Sequence, residues 1–251
     1  MSGHSGFGVF LTRLLDHKGL GVADLSGTGD EERELRAVLG GETPGPPLLG
    51  RLAPALGLQV PDLYVIAGIE VPQELAPLDA RAGPEAARLA GRAGKLPERA
   101  WREVLEYARS LPQQDRAEPF PAPRQYEQYP PPGFGSILVR MLATRNLDWL
   151  SSVRVLHEVS LGRVYWSAAT VGVVGRGRKE VAPAILPVFA AALGIPAGDL
   201  AALGGMSPPE TGEIRLNPAA GTVAALVWDA RRLTAEQVKL VSDKAGAMLQ
   251  H

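Results

Sequence analysis

Arg176, Arg178 and Lys179 place three cations within four residues, with Gly177 between them and Gly172 and Gly175 just ahead. A basic turn loosened by glycine can approach phosphates closely and release their condensed counterions. A merely solvated turn is the plain alternative. A nucleotide cradle at Gly172 to Gly177 is disfavoured, because the Gly-Lys-Ser/Thr ending of a phosphate loop is missing and no clear strand precedes them.

Other reactive groups are scattered. His4, His17, His157 and His251 lie far apart, no His-Glu-x-x-His or Gly-x-Ser-x-Gly pattern occurs, and His157-Glu158 is a lone pair with ligand character. Asp30, Glu31, Glu32 and Glu34 have the pattern of a solvated helix face rather than a catalytic pair. The absence of cysteine excludes disulfides, thiolate catalysis and the common zinc-finger ligand sets. No enzyme activity, metal or cofactor is expected. Missing cysteine and a start without signal-peptide character point to the cytoplasm.

A chain of 251 residues suits one large or two modest domains with real cores. Its 26 basic and 27 acidic residues argue against attraction of the whole surface to nucleic acid, so any such binding must be local. The uncharged run from Val181 to Gly198 approaches membrane-spanning length, but Pro183, Pro187 and Pro196 interrupt it and its earlier relative carries Arg51. It reads as soluble core, and no membrane partner is expected.

The elements that must hold the basic turn occur twice. Gly6-Phe7-Gly8-Val9-Phe10-Leu11 recurs as Gly133-Phe134-Gly135-Ser136-Ile137-Leu138, and in the same register Arg13 matches Arg140, Leu15 matches Leu142 and Leu20 matches Leu147. Ala55-Leu56-Gly57-Leu58 and Asp62-Leu63 recur as Ala192-Leu193-Gly194-Ile195 and Asp199-Leu200 in a wider register, so copy two holds ten extra residues in between. Between the copies, residues 112–132 hold seven prolines, a composition that favours an extended, semi-rigid spacer. The expected division is 1–111, a Pro-rich linker 112–132, and 133–251. A linker whose aromatics Phe120, Tyr126 and Tyr129 dock on a neighbouring domain is preferred to a proline-rich recognition peptide.

Periodicity predicts helices only. Phe10, Leu11, Leu14 and Leu15, like Ile137, Leu138, Met141 and Leu142, fall at helical spacing. Later helices end at Gly57 and Gly194, residues suited to a left-handed stop, and short helices follow with Asp62 and Asp199 in cap-like places. Each copy then closes with a helical pair. Trp101, Val104, Leu105 and Ala108 mark one of these helices, and Thr234 to Gln237 fits a capping box at the start of another. Trp149, Val164, Tyr165, Trp166 and Trp228 read as core. The expected fold class is all-α.

In copy two, the run Ser167-Ala168-Ala169-Thr170-Val171-Gly172-Val173-Val174-Gly175-Arg176-Gly177-Arg178-Lys179 is followed by Pro183, the Ala-Leu-Gly helix and its Asp-Leu. This order resembles the Xre or Cro-repressor family of helix-turn-helix domains. Copy one has the same frame in Leu35 and Val38, Gly40-Gly41, Pro44 or Pro46, Ala55-Leu56-Gly57-Leu58 and Asp62-Leu63. The resemblance covers residues 6–69 and 133–206, but the segment before the recognition helix is short in copy one and long in copy two, leaving each second helix unplaced.

The resemblance implies two helix-turn-helix modules, each followed by a helical pair, and a recognition helix lying in the major groove of double-stranded DNA. By that analogy Ser167, Ala168, Ala169, Thr170 and Val173 face outward, hydroxyls toward base edges and methyls toward thymine. Arg176, Arg178 and Lys179 supply the phosphate contacts. No Arg, Asn or Gln stands on the outward side for bidentate reading, so discrimination should be modest or depend on DNA shape.

The copies differ in charge. Residues 133–206 hold seven Lys or Arg against four acids, whereas residues 6–69 hold five against eight. Acids at the start of the first recognition helix would face phosphates with like charge, so copy one is expected to bind protein or stabilise a dimer. The resulting expectation is a cytoplasmic DNA-binding transcriptional regulator acting mainly through copy two, with a homodimer favoured by the acidity of copy one. A ratio of 21 Arg to 5 Lys, with abundant Ala, Gly and Pro, is compatible with a GC-rich bacterial source. The alternative is a helix-turn-helix-derived protein-interaction scaffold without DNA binding, favoured by the poor helix propensity of Gly172 and Gly175.

Overall fold

A computed structural model describes residues 6–121, 133–208 and 214–250, which are all-helical with no strand among them. Tyr126, Tyr129, the Pro130-Pro131-Pro132 run, His4 and His251 lie outside the described residues. Copy one comprises α1 (Gly6–Lys18), a 3-10 turn (Val22–Leu25), α2 (Gly29–Leu39), α3 (Pro46–Leu56), α4 (Val60–Ala67), α5 (Gly83–Ala93) and α6 (Glu98–Ser110). Copy two comprises α7 (Phe134–Ala143), α8 (Trp149–Val159), α9 (Ala168–Gly175), α10 (Leu186–Leu193), α11 (Ala197–Gly204), α12 (Ala220–Ala230) and α13 (Ala235–Met248). The segment of unequal length is thus a single 3-10 turn in copy one and a full helix, α8, in copy two.

Local chemistry sets most helix ends. The hydroxyl of Thr234 accepts the Gln237 N–H while the Gln237 side chain accepts the Thr234 N–H, closing the expected capping box of α13. Gly57 and Gly194 stop α3 and α10 in the left-handed region. Asp62 and Asp199 are not caps, because Gln59 and Pro196 occupy the N-cap positions of α4 and α11. Each carboxylate is instead turned to the other copy.

α1 meets α2 as α7 meets α9. A Cβ on Gly8 would stand 2.8 Å from the Val38 carbonyl oxygen, and a Cβ on Gly135 would stand 2.8 Å from that of Val174. Helices approach this closely only where a side chain is missing. The two glycines therefore align Leu35 with Val171 and Val38 with Val174, and all four are buried.

The copies are joined reciprocally. α1 packs on α11 as α7 packs on α4, and the closing pairs α5 and α6, and α12 and α13, pack on each other. Arg145, just past α7, binds Asp62 of α4 through Nη1 to Oδ1 at 2.7 Å and Nη2 to Oδ2 at 2.9 Å, with both side chains buried. The counterpart is Lys18, the last residue of α1, whose Nζ lies 2.7 Å from Asp199 Oδ2 of α11. Lys18 stands to Arg145 as Leu20 stands to Leu147, and Asp62 to Asp199 as Gly57 to Gly194, so the partners in the two bridges are repeat-equivalent residues. This is the self-complementary contact of a two-fold dimer, made inside one chain.

A continuous hydrophobic cluster runs through both copies. Beside the Arg145 pair, the Trp228 ring lies 5.3 Å from Arg145 Cζ and 4.2 Å from Arg231 Cζ. Burial, with repulsion from Arg145 and Arg116, lowers Arg231 to about 10. The first residues of the Pro-rich segment are docked on the protein. Arg116 donates to the carbonyls of Gln73, Ala76, Pro77 and Leu78, and Gln73 exchanges two hydrogen bonds with the Phe120 backbone.

Candidate nucleic-acid interface

α9 has two distinct faces. Val171, Gly172, Val174 and Gly175 are buried, and the helix packs on α7 and α8. Ser167 and Ala169 are exposed, and Ala168, Thr170 and Val173 are half-buried. The five residues named for the outward side therefore all retain solvent access. Gly172, a weak helix former, has a packing reason to be there: a Cβ at this position would stand 2.6 Å from Trp149 Cη2.

Ser167 is the N-cap of α9. Its Oγ accepts the Thr170 N–H at 3.1 Å and lies 3.1 Å from Thr170 Oγ1, so one of the two hydroxyl hydrogens is committed between them. Together they offer a base edge one outward donor instead of two.

At the other end, the Arg178 N–H bonds the Val173 carbonyl at 3.0 Å and the Gly177 N–H bonds that of Val174 at 2.9 Å. Gly177 has φ +66°, which completes a Schellman closure that other residues would enter only with strain. The abrupt turn leaves Arg178 and Lys179 exposed. Lys179 Nζ lies 5.7 Å from the Trp166 ring, which in turn meets Phe189 edge-on at 5.6 Å. Arg176 is half-buried, its Cζ 5.3 Å over the Trp149 ring. Two of the three cations, Arg176 and Lys179, thus lie against tryptophan rings, and Arg178 and Lys179 are exposed.

Tyr165 departs from its expected place in the core and is 89% exposed. Val164 is buried and Trp166 packs against the core, while Tyr165 between them turns to solvent. Three consecutive apolar residues carry no local mark of which one will be exposed. The turn is well defined: Leu161 and Gly162 take φ values of 51° and 78°, and Ser160 Oγ accepts the Val164 N–H at 3.0 Å. His157 Nδ1 lies 3.3 Å from the Val164 carbonyl oxygen, and its ring meets Tyr165 edge-on at 6.1 Å. Tyr165 and the exposed Arg163 thereby flank the start of α9, an extension of the site that sequence reasoning missed.

Copy one repeats the backbone but not the charge. α2 closes as α9 does, with the Glu42 N–H on the Ala37 carbonyl, the Gly41 N–H on that of Val38, and Gly41 at φ +108°. In the register that sets Val38 on Val174, Glu31, Glu32 and Glu34 stand where copy two has Ser167, Ala168 and Thr170, and Glu42 stands for Arg178. Arginines near this face are engaged by carboxylates: Arg33 by Asp30 at 2.8 Å, Arg36 by Glu32, and Arg51 by Glu34 at 2.9 Å. Arg145, counted among the cations of copy two, is spent in the interior on Asp62.

No family model, curated protein or solved structure matches this chain. Among the described residues, no group of His, Asp and Glu could hold a metal ion. No helix among them is long and apolar enough to cross a membrane.

Proposed function

We propose that this protein is a transcriptional regulator that binds double-stranded DNA through copy two, with α8 and α9 as a helix-turn-helix and α9 in the major groove. In this reading residues 1–111 and 133–251 form two related modules joined by the Pro-rich linker. The observation that carries it is the union of an uncharged, slim, accessible helix face with Arg178 and Lys179 at its end. Small side chains admit close approach to base edges, while the cations neutralise phosphates and hold the register. Arg163 and Tyr165 widen the contact toward the opposite end of α9.

Fluorescence anisotropy with mixed-sequence duplexes over a range of salt tests this reading. Replacing Arg176, Arg178 and Lys179 together by alanine should weaken binding to every duplex and make the slope of log affinity against log salt shallower by about 2 to 3. A full-length protein without salt-sensitive binding would favour the scaffold reading. That alternative draws support from the mutual satisfaction of Ser167 and Thr170 and from the acidic face of α2.

A further inference from the structure

Symmetric helix-turn-helix readers place two identical heads on two half-sites by pairing two protomers. Here the two-fold pairing is internal. Arg145 with Asp62 and Lys18 with Asp199 are equivalent contacts exchanged between copies, and both carboxylates are buried by them. The pairing surface that joins the two heads is therefore already occupied within one chain.

The heads are equivalent in backbone and opposite in charge. Gly8 on Val38 and Gly135 on Val174 fix the same helix crossing, and Gly41 and Gly177 close the two helices in the same manner. Where copy two presents Arg178, copy one presents Glu42, and the alanine and serine at the start of α9 are replaced by glutamates. A phosphate seated against the copy-one head would meet like charge.

Resting on the DNA-binding reading, we infer that one chain is the complete reading unit. It binds a single asymmetric DNA element through copy two, and copy one supplies the pairing surface that a second protomer supplies in a symmetric dimer. This arrangement stands in place of the homodimer expected from the acidity of copy one.

The test is selection of bound sequences from a random duplex library with the full-length protein, followed by sedimentation of the complex with the enriched duplex. The expected result is one contiguous element without inverted repeat, carrying one 26.6 kDa chain. An inverted repeat with halves about 10 base pairs apart, bound by two chains, overturns the inference while leaving DNA binding intact. Salt-sensitive binding without enrichment of any element also overturns it. A library passing through with no retention at all overturns the DNA-binding reading, and the inference with it.

Discussion

Arg145 and Asp62, distant in the chain, form a two-point ion pair sealed between the end of α7 and the start of α4. Arg145 also donates to the carbonyls of Leu193 and Met141, so the charge is held by a network and not by one partner. Lys18 and Asp199 occupy the equivalent places, but Lys18 keeps part of its side chain in solvent. Water thus screens one of the two related pairs and not the other.

Arg145→Met should therefore destabilise the protein by about 3 to 5 kcal/mol, since it strands the Asp62 carboxylate in the interior. Adding Asp62→Leu should recover most of that loss. Lys18→Met should cost less, about 1 to 2 kcal/mol, because His17 Nε2 stays 3.4 Å from Asp199 Oδ1 beside the buried carboxylate. Urea unfolding followed by circular dichroism gives all three values, and equal losses for Arg145→Met and Lys18→Met would contradict the difference in burial.

Gly8→Ala and Gly135→Ala each push a methyl group into a carbonyl of the crossing helix, and each should destabilise by about 1 to 3 kcal/mol. Gly172→Ala meets a side chain instead, the Trp149 ring. Its loss in melting temperature should be relieved by Trp149→Leu in the same chain, whereas Gly135→Ala should gain nothing from that second change.

Burial raises the Glu158 carboxyl above its ordinary value of 4.5, despite opposing attraction from Lys95 and His157 and a hydrogen bond from Asn217. A carboxyl with a raised folded-state pKa holds its proton more tightly when folded. Its stabilising contribution is complete below the unfolded value and is lost as pH rises through the folded one. Glu158→Gln should keep the Asn217 contact, leave neutral-pH stability equal or higher, and flatten the melting profile above pH 4.5. A wild-type and variant pair with parallel profiles would refute this.

On the DNA-binding reading, Arg163→Gln should make the salt slope shallower by about 1, the release expected for one phosphate contact. Tyr165→Ala should weaken binding without changing that slope, because it removes contact area and no charge. Both side chains are exposed, so melting temperatures should stay at the wild-type value. Tyr165→Ala binding with full affinity would remove the turn before α9 from the interface.

By itself the amino-acid sequence determined the all-α class, the duplication, the stops at Gly57 and Gly194 and the Thr234 capping box. Apart from the duplication, which is read by aligning the chain with itself, each of these depends on residues within a turn or two of one another, where helical period and capping geometry leave few choices. The outward residues of α9 came from the helix-turn-helix resemblance, and the basic turn from three cations within four residues. Tertiary structure alone decided that Asp62 and Asp199 bind across the copies instead of capping, that Arg145 is interior, and that Trp149 lies under Gly172. Those outcomes rest on partners distant in the chain, and a charge or a glycine carries no local mark of which distant surface will reach it.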